Sequence, residues 1–266
     1  MKRVVFNQKG GVGKTSITCN LAAISAWKGY KTLVIDLDVQ GNSSEYLIGA
    51  QFRELTDNAA DFFRQKLSFF GKGKEPKDFI YNTEFENLFL MPSNPELASI
   101  ERDLESRHKI YKLRDALENL SGEYEHIYID TPPALNFYSR SALIAADSLL
   151  IPFDCDSFSS GALMGLLETV AEIREDHNPN LTLEGVVVNQ FQVQASLPQQ
   201  LTEELTDMGL PLFDTFLSSS VKMKESRTRQ TPLIYMAQSH KLTQQLLAIH
   251  ADLEDNSKKH KRKKTA

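Results

Sequence analysis

The sequence predicts an α/β fold, a doubly wound and mainly parallel sheet with helices on both faces. Three observations lead there. Short β-branched, apolar runs alternate with longer stretches of helical periodicity through most of the chain. Those runs are apolar nearly throughout, as in strands covered on both faces. The residues with chemical potential cluster just after the runs, at the carboxyl ends of the predicted strands, where open α/β sheets bind ligands.

Taken in order, "RVVF" (3–6) is a strand that enters a glycine-rich loop, and a helix follows from Thr15 to Lys28, closed by Gly29. "KTLVID" (31–36), "LFLM" (88–91), "HIYID" (126–130), "SLLIPF" (148–153) and "EGVVVNQ" (184–190) are further strands, and "PLFDTFL" (211–217) reads as an edge or near-edge strand. Helical patterns occupy 97–120, 160–175, 197–208 and 240–254. The stretch 55–85 is the least regular, and its "GKGKEP" has the composition of a surface loop. No repeat or linker divides the chain, so one domain is expected over 1–254, followed by a basic, disordered tail at 255–266.

Composition is that of an ordinary globular protein: 266 residues, 41% hydrophobic and 24% charged. No signal peptide and no apolar run of about 18 residues is present, so a cytoplasmic location is expected. Cys19 and Cys155 have neither metal-ligand spacing nor the pattern of a disulfide framework. The net charge of −5 is unevenly placed: the last twelve residues carry +5 and the remainder −10. An acidic body with a basic tail is suited to touching a polyanion through that tail.

The densest motif is "NQKGGVGKTS" at 7–16. Its glycines allow a tight turn that aims backbone N–H groups at phosphate oxygens, and the helix beginning after Gly13 adds its N-terminal dipole. Lys14 has the position to reach β- and γ-phosphates, and the Thr15 hydroxyl to coordinate Mg²⁺. The usual G-x-x-x-x-G-K-[ST] spacing places its first glycine at position 8, where this chain has Gln8; a second lysine, Lys9, follows instead. Lys9, Gly10, Gly11, Val12, Gly13, Lys14, Thr15 and Ser16 are therefore the candidate contacts for a nucleotide's phosphates, those of ATP if the resemblance below holds.

The pattern K-G-G-x-G-K-[ST] resembles the deviant Walker A motif of the ParA/MinD family of P-loop ATPases. "VIDLDVQGNSS" (34–44), "LMPSNPELA" (90–98), "IYIDTPPAL" (127–135) and "LIPFDCDSFSSGALMGLLETV" (150–170) resemble later family segments in the same order, covering roughly 1–250. The resemblance implies that Lys9 is the signature lysine, which crosses an ATP-bound dimer interface to the partner's nucleotide. It makes Asp38 the residue that positions the attacking water. Asp130, which closes an apolar strand, becomes the Walker B aspartate that holds Mg²⁺ through water, with Asp36 supporting the metal's surroundings; either Asp36 or Asp38 also fits a loop-capping role. Asn189 is placed where the family often uses an asparagine on the adenine edge, although a turn role suits it as well. The segment "FLSSSVKMKESRTRQTPLIY" (216–235) lacks the family's proline-arginine start, so no nucleotide contact is carried onto it; Lys222, Lys224, Arg227 and Arg229 make it locally basic.

Within the family, a ParA-type positioning ATPase fits best. It implies an ATP-state homodimer, nonspecific DNA binding, a nucleoid-associated location and hydrolysis stimulated by a ParB-like or other cargo adaptor. A MinD-type membrane ATPase is the alternative, but "DNSKKHKRKKTA" has no large apolar residue for a membrane-seeking helix. An iron–sulfur ATPase would need cysteines near "TPPALNF", which has none, and Lys14, Thr15, Asp38 and Asp130 argue against a bare scaffold. The chain opens on the ATPase strand, so it is expected to resemble the short class lacking an N-terminal helix-turn-helix domain. Plasmid, chromosome, carboxysome and chemoreceptor cluster all fit as cargo.

Overall fold

The computed structural model describes residues 1–65, 67, 73–120, 122–154, 160–191 and 203–264, with the backbone alone at 160 and 258–264. Among these residues seven strands form one sheet: β1 (Lys2–Val5), β2 (Thr32–Asp36), β3 (Tyr81–Asn82), β4 (Leu88–Met91), β5 (His126–Asp130), β6 (Ser148–Asp154) and β7 (Thr182–Asn189). Their order is β3-β4-β2-β5-β1-β6-β7. Every pairing is parallel except β3 with β4, a two-residue antiparallel edge.

Each central strand feeds two cores. Val4, Leu33, Ile35, Ile127, Ile129, Leu149 and Ile151 face one layer, while Val5, Val34, Tyr128, Leu150 and Val187 face the other. This is the two-residue period of a pleated strand with apolar side chains on both faces. The first layer is covered by α3 (Ala59–Gln65), α4 (Leu97–Ser106), α5 (Lys112–Asn119), α6 (Phe137–Ala145) and α7 (Ser160–Asp176). Over the second lie α1 (Lys14–Trp27), α2 (Asn42–Ile48), α8 (Val221–Thr228), α9 (Leu233–Met236) and α10 (Lys241–Lys264).

Several sequence expectations need correction. The pattern at 97–120 is two helices, broken where His108 takes φ 52°. "PLFDTFL" forms no strand: one isolated bridge occurs in it, Val186 with Leu212, and another just after it, Phe191 with Ser218. Of the 197–208 pattern, 203–207 is helical and 197–202 lies outside the described residues, as does Cys155. The irregular stretch 55–85 contains α3 and a 3₁₀ turn, Pro76–Phe79. The tail expected to be disordered is a continuation of α10, helical to Lys264. The segment 241–264 contains neither glycine nor proline and ends in lysine and arginine, good helix formers that also suit the negative end of the helix dipole.

α10 is fixed to the body by Leu242, Leu246, Ile249 and Leu253, all at most 2% exposed, and by the fully buried His250. His250 Nε2 lies 2.8 Å from Ser25 Oγ, and Nδ1 lies 3.3 Å from the Lys28 ammonium. Burial, aided by the charges of Lys28 and Arg3, pushes its pKa down to about 3. The folded value is below the unfolded one, so the unfolded chain takes the proton first as pH falls. The stabilisation is complete above about pH 6.5 and is lost on acidification through that value, at roughly 1.4 kcal/mol per pH unit. Urea unfolding at pH 7.5 and pH 5 should show a loss of roughly 2 kcal/mol from this source. His250→Gln should remove that loss; parallel pH dependence of the two proteins would refute the assignment.

Candidate active site

β1 lies between β5 and β6, so the loop that leaves β1 emerges beside the carboxyl end of β5, and β2 follows next in the sheet. In register, Val5 pairs with Asp130 and Asp36 pairs with Asp130. Three segments distant in sequence are thereby placed side by side: the loop 6–13, the end of β5, and the turn after β2.

The loop's geometry is specified by Gly13, the N-cap of α1, at φ 95°. That region favours glycine, and a Cβ here would stand 2.3 Å from Asn189 Nδ2. Asn189, the last residue of β7, donates from Nδ2 to the Val12 carbonyl at 3.0 Å, which ties the loop to the sheet. This long-range contact is neither the turn role nor the adenine contact that the sequence suggests for Asn189. Val12 is buried at 1% exposure, so this residue can offer a ligand its backbone but not its side chain.

Lys14 is 7% exposed, and its ammonium donates to the Lys9 carbonyl at 2.6 Å. Burial lowers its pKa, against the opposing pull of Asp130 and Asp38. Lys9 itself is exposed at the rim. Thr15 and Ser43 hydroxyls both donate to Asp130 Oδ2, each at 2.7 Å, and Asp130 is fully buried. Beside it Asp36, also fully buried, accepts from Ser44 N (2.8 Å), Ser44 Oγ (2.7 Å) and Asp38 N (3.1 Å). Asp38 Oδ1 accepts the Gln40 N–H at 3.0 Å. The turn closes at Gly41, φ 67°, whose missing Cβ leaves room for the Phe52 ring.

Burial pushes the Asp36 carboxyl up to about 8, with repulsion from Asp130 adding to the shift. Asp130 is pushed up to about 6, again by burial, with the Ser43 and Thr15 hydroxyls opposing it. Both upward shifts mark a site short of positive charge, because a cation bound here would favour the ionised carboxylates. The Thr15 hydroxyl donates its only proton to Asp130, so its oxygen keeps lone pairs for a cation. Among the described residues no group of three or more His, Cys, Asp or Glu forms a metal cage. A donor set of one hydroxyl and one nearby carboxylate suits Mg²⁺, which keeps several waters and binds through few protein groups plus substrate phosphates.

Gly10, Gly11, Gly13, Lys14, Thr15, Ser16 and Asp38 all line one cleft of about 300 Å³. Sequence reasoning missed Ser43, Asn42 and Pro133, and it named Arg227 only as part of a basic segment; Asn42, Pro133 and Arg227 also line this cleft. The signal for Ser43 was present in "GNSS", hydroxyls following a carboxylate pair, but its partner Asp130 lies 87 residues away.

Residues 2–183 match the family described as AAA domain. The chromosome partitioning protein ParA of Myxococcus xanthus is 32% identical over 251 residues, 94% of this chain and 86% of that protein. The sporulation initiation inhibitor protein Soj of Bacillus subtilis is 31% identical over 232 residues, covering 86% of this chain and 88% of its own length. Among solved structures, a cobyrinic acid a,c-diamide synthase of Mycobacterium smegmatis, holding an ATP analog and magnesium, superposes with TM-score 0.75 at 26% identity, over 90% of this chain and 96% of that one. Sequence kinship along nearly the full length, together with a lysine on either side of the loop glycines, decides the matter: the chain belongs to the ParA/MinD family of P-loop ATPases.

Proposed function

We propose that this protein is a ParA-type positioning ATPase, which dimerises on Mg-ATP, binds DNA without sequence preference and hydrolyses ATP when a ParB-like or other cargo-bound adaptor stimulates it. The observation that carries the reading is the division of labour between two lysines: Lys14 is buried in the cleft and Lys9 is exposed on its rim. One ammonium lies inside the subunit's own nucleotide cleft, and the other lies on the surface that a second subunit would meet.

In this reading the N–H groups of Gly10, Gly11, Val12 and Gly13 surround the phosphates, with Ser16 beside them. Lys14 exchanges the Lys9 carbonyl for β/γ-phosphate oxygens, a stronger charge-assisted contact. Thr15 and Asp130 would hold Mg²⁺, which would supply neutralisation of the nucleotide's phosphate charge. Asp38 orients the attacking water, Asp36 holds the turn after β2 through Ser44 and the Asp38 N–H, and Lys9 meets negative charge developing on the partner's phosphate. Asn189 keeps the loop against β7 and carries the expected adenine contact.

The MinD-type membrane reading loses support in α10. Leu242, Leu246, Ile249 and Leu253 are spent on the core, so this stripe is not available to a bilayer. No helix among the described residues is long and apolar enough to cross a membrane.

The test is a titration of unrelated duplexes with ATP and with ADP at several salt concentrations, paired with sedimentation. ATP should give a dimer and DNA binding, and the logarithm of affinity should fall by about 0.9 per log unit of salt for each phosphate neutralised. ADP should give neither. Lys9→Ala should lose both while keeping nucleotide. Equal oligomers with ATP and ADP, or binding to anionic vesicles but to no duplex, would overturn the proposal.

A further inference from the structure

Arg227 stands in the last turn of α8, in the late segment onto which the family resemblance carries no nucleotide contact. It lines the phosphate cleft together with Lys14, Thr15 and Ser16, and it also lines an adjoining hollow of about 480 Å³ beside Tyr46 and Lys224. Asn42 and Arg227 belong to both, so the two spaces meet at Arg227. Its side chain is exposed and forms no ion pair among the described residues. The nearby acids are engaged elsewhere: Glu225 pairs with Lys222 at 2.6 Å, and Glu45 faces Arg53 at 3.8 Å.

The seat of this arginine is fixed to the P-loop helix. Its neighbour Ser226 is fully buried, hydrogen-bonds the Tyr46 hydroxyl and donates to the Thr231 carbonyl at 2.6 Å. Asn20, one turn along α1 from Ser16, donates to the Ser16 carbonyl at 2.8 Å and to the Tyr46 hydroxyl at 3.1 Å. Its Oδ1 accepts the Leu233 N–H at 2.9 Å. A buried amide–hydroxyl chain thus sets the distance between α8 and the start of α1, which a phosphate-binding cation on α8 requires.

We propose that Arg227 binds a phosphate oxygen of the nucleotide held by its own subunit, as a third cation alongside Lys14 in the same chain and Lys9 from the partner. The proposal rests on the P-loop reading of the cleft. A guanidinium suits this place because its planar fork matches phosphate oxygens and it is always charged. It also gives α8 a direct stake in whether the cleft is filled.

The experiment uses the full chain as wild type, Arg227→Ala, Arg227→Lys and Lys14→Ala, with Mg-ADP and Mg-ATP titrated calorimetrically. Arg227→Ala should weaken ADP and ATP by about 10- to 100-fold, as for loss of a hydrogen bond between charged groups. Arg227→Lys should recover part of that, and melting without nucleotide should be unchanged for both. Weakening confined to ATP would support the contact and place it on the γ-phosphate. Wild-type affinity of Arg227→Ala for both nucleotides, with Lys14→Ala impaired, would overturn the proposal; loss of duplex binding in that variant would then assign the guanidinium to a DNA phosphate. Unimpaired binding by Lys14→Ala would instead overturn the P-loop reading beneath it.

Discussion

Asp38→Ala is expected to bind Mg-ATP at least as tightly as the parent while losing about 10²-fold or more in turnover, the usual cost of removing a group that positions or activates a reacting water. The carboxylate is 7% exposed, lies on the turn after β2 and lines the same cleft as the loop glycines, to which it contributes no N–H donor. Deleting it removes no phosphate donor and takes a negative charge out of a cleft that must accept a polyanion. One structural contact is also lost, because Asp38 Oδ1 accepts the Gln40 N–H at 3.0 Å. Asp38→Asn separates the two effects, since an amide oxygen can still accept that bond but cannot act as a carboxylate. If the carboxylate is what matters, both variants lose turnover together. If only the turn matters, the asparagine variant works normally and the alanine variant does not. Single-turnover hydrolysis with a parallel nucleotide titration measures both quantities, and a parent rate in Asp38→Ala would remove Asp38 from the proposed mechanism.

How much of this was legible in the sequence depended on the range of the interaction. β4 and β5 run as the apolar stretches read, and Asp130 closes β5 as expected, because burial on both faces of a parallel strand leaves a local signature. The loop was legible because a glycine at φ 95°, a lysine and a hydroxyl residue must be adjacent for their chemistry to work. α6 passed unread although Asn136 caps it through the N–H groups of Tyr138 and Ser139, since its inward face is too apolar to show a clear stripe. Arg227 and Ser43 were hidden for a different reason. Each gains meaning from a partner that only the sheet order and the packing of α2 and α8 bring near. The tail was misread by composition, which separates charged from apolar segments better than helical from irregular ones.

The largest stability effect should come from a residue that the sequence reading took only as the start of its first strand, Arg3 in β1. Arg3 is fully buried, and its guanidinium grips Glu184 through two bonds, Nε to Oε2 at 2.9 Å and Nη2 to Oε1 at 3.1 Å. A bulge supplies that partner: Leu149 and Leu150 of β6 pair with Leu183 and Gly185 of β7, which leaves Glu184 as the extra residue. Nη2 also donates to the Leu253 carbonyl at 3.1 Å and to Ser257 Oγ at 2.6 Å, both on α10. Nη1 lies 3.0 Å from His126 Nδ1; a guanidinium only donates, so Nδ1 accepts and the ring proton sits on Nε2, facing Glu254 Oε1 at 3.4 Å. Burial opposes the charge on Arg3, but Tyr128 and Glu184 outweigh it and raise the guanidinium's pKa further. Arg3→Ala leaves a buried carboxylate with, among the described residues, only the Ser148 hydroxyl, at 2.6 Å, as a hydrogen-bond donor, and unbinds the α10 contacts. Removing one partner of a buried pair costs about 3–5 kcal/mol, a large share of the stability of a typical domain. At roughly 2–4 °C per kcal/mol for a chain somewhat shorter than this one, melting should fall by about 10 °C. Arg3→Met with Glu184→Leu removes both charges and should cost much less than either single change, because apolar replacement of a buried pair is often near neutral. The carboxyl end of the sheet lies beyond this network, so Mg-ADP affinity at low temperature should survive in every variant that folds. Urea midpoints for the two single variants and the double one decide it. A cost below about 1 kcal/mol for Arg3→Ala, or a double variant that loses the sum of the singles, would mean the pair does not anchor α10 as described.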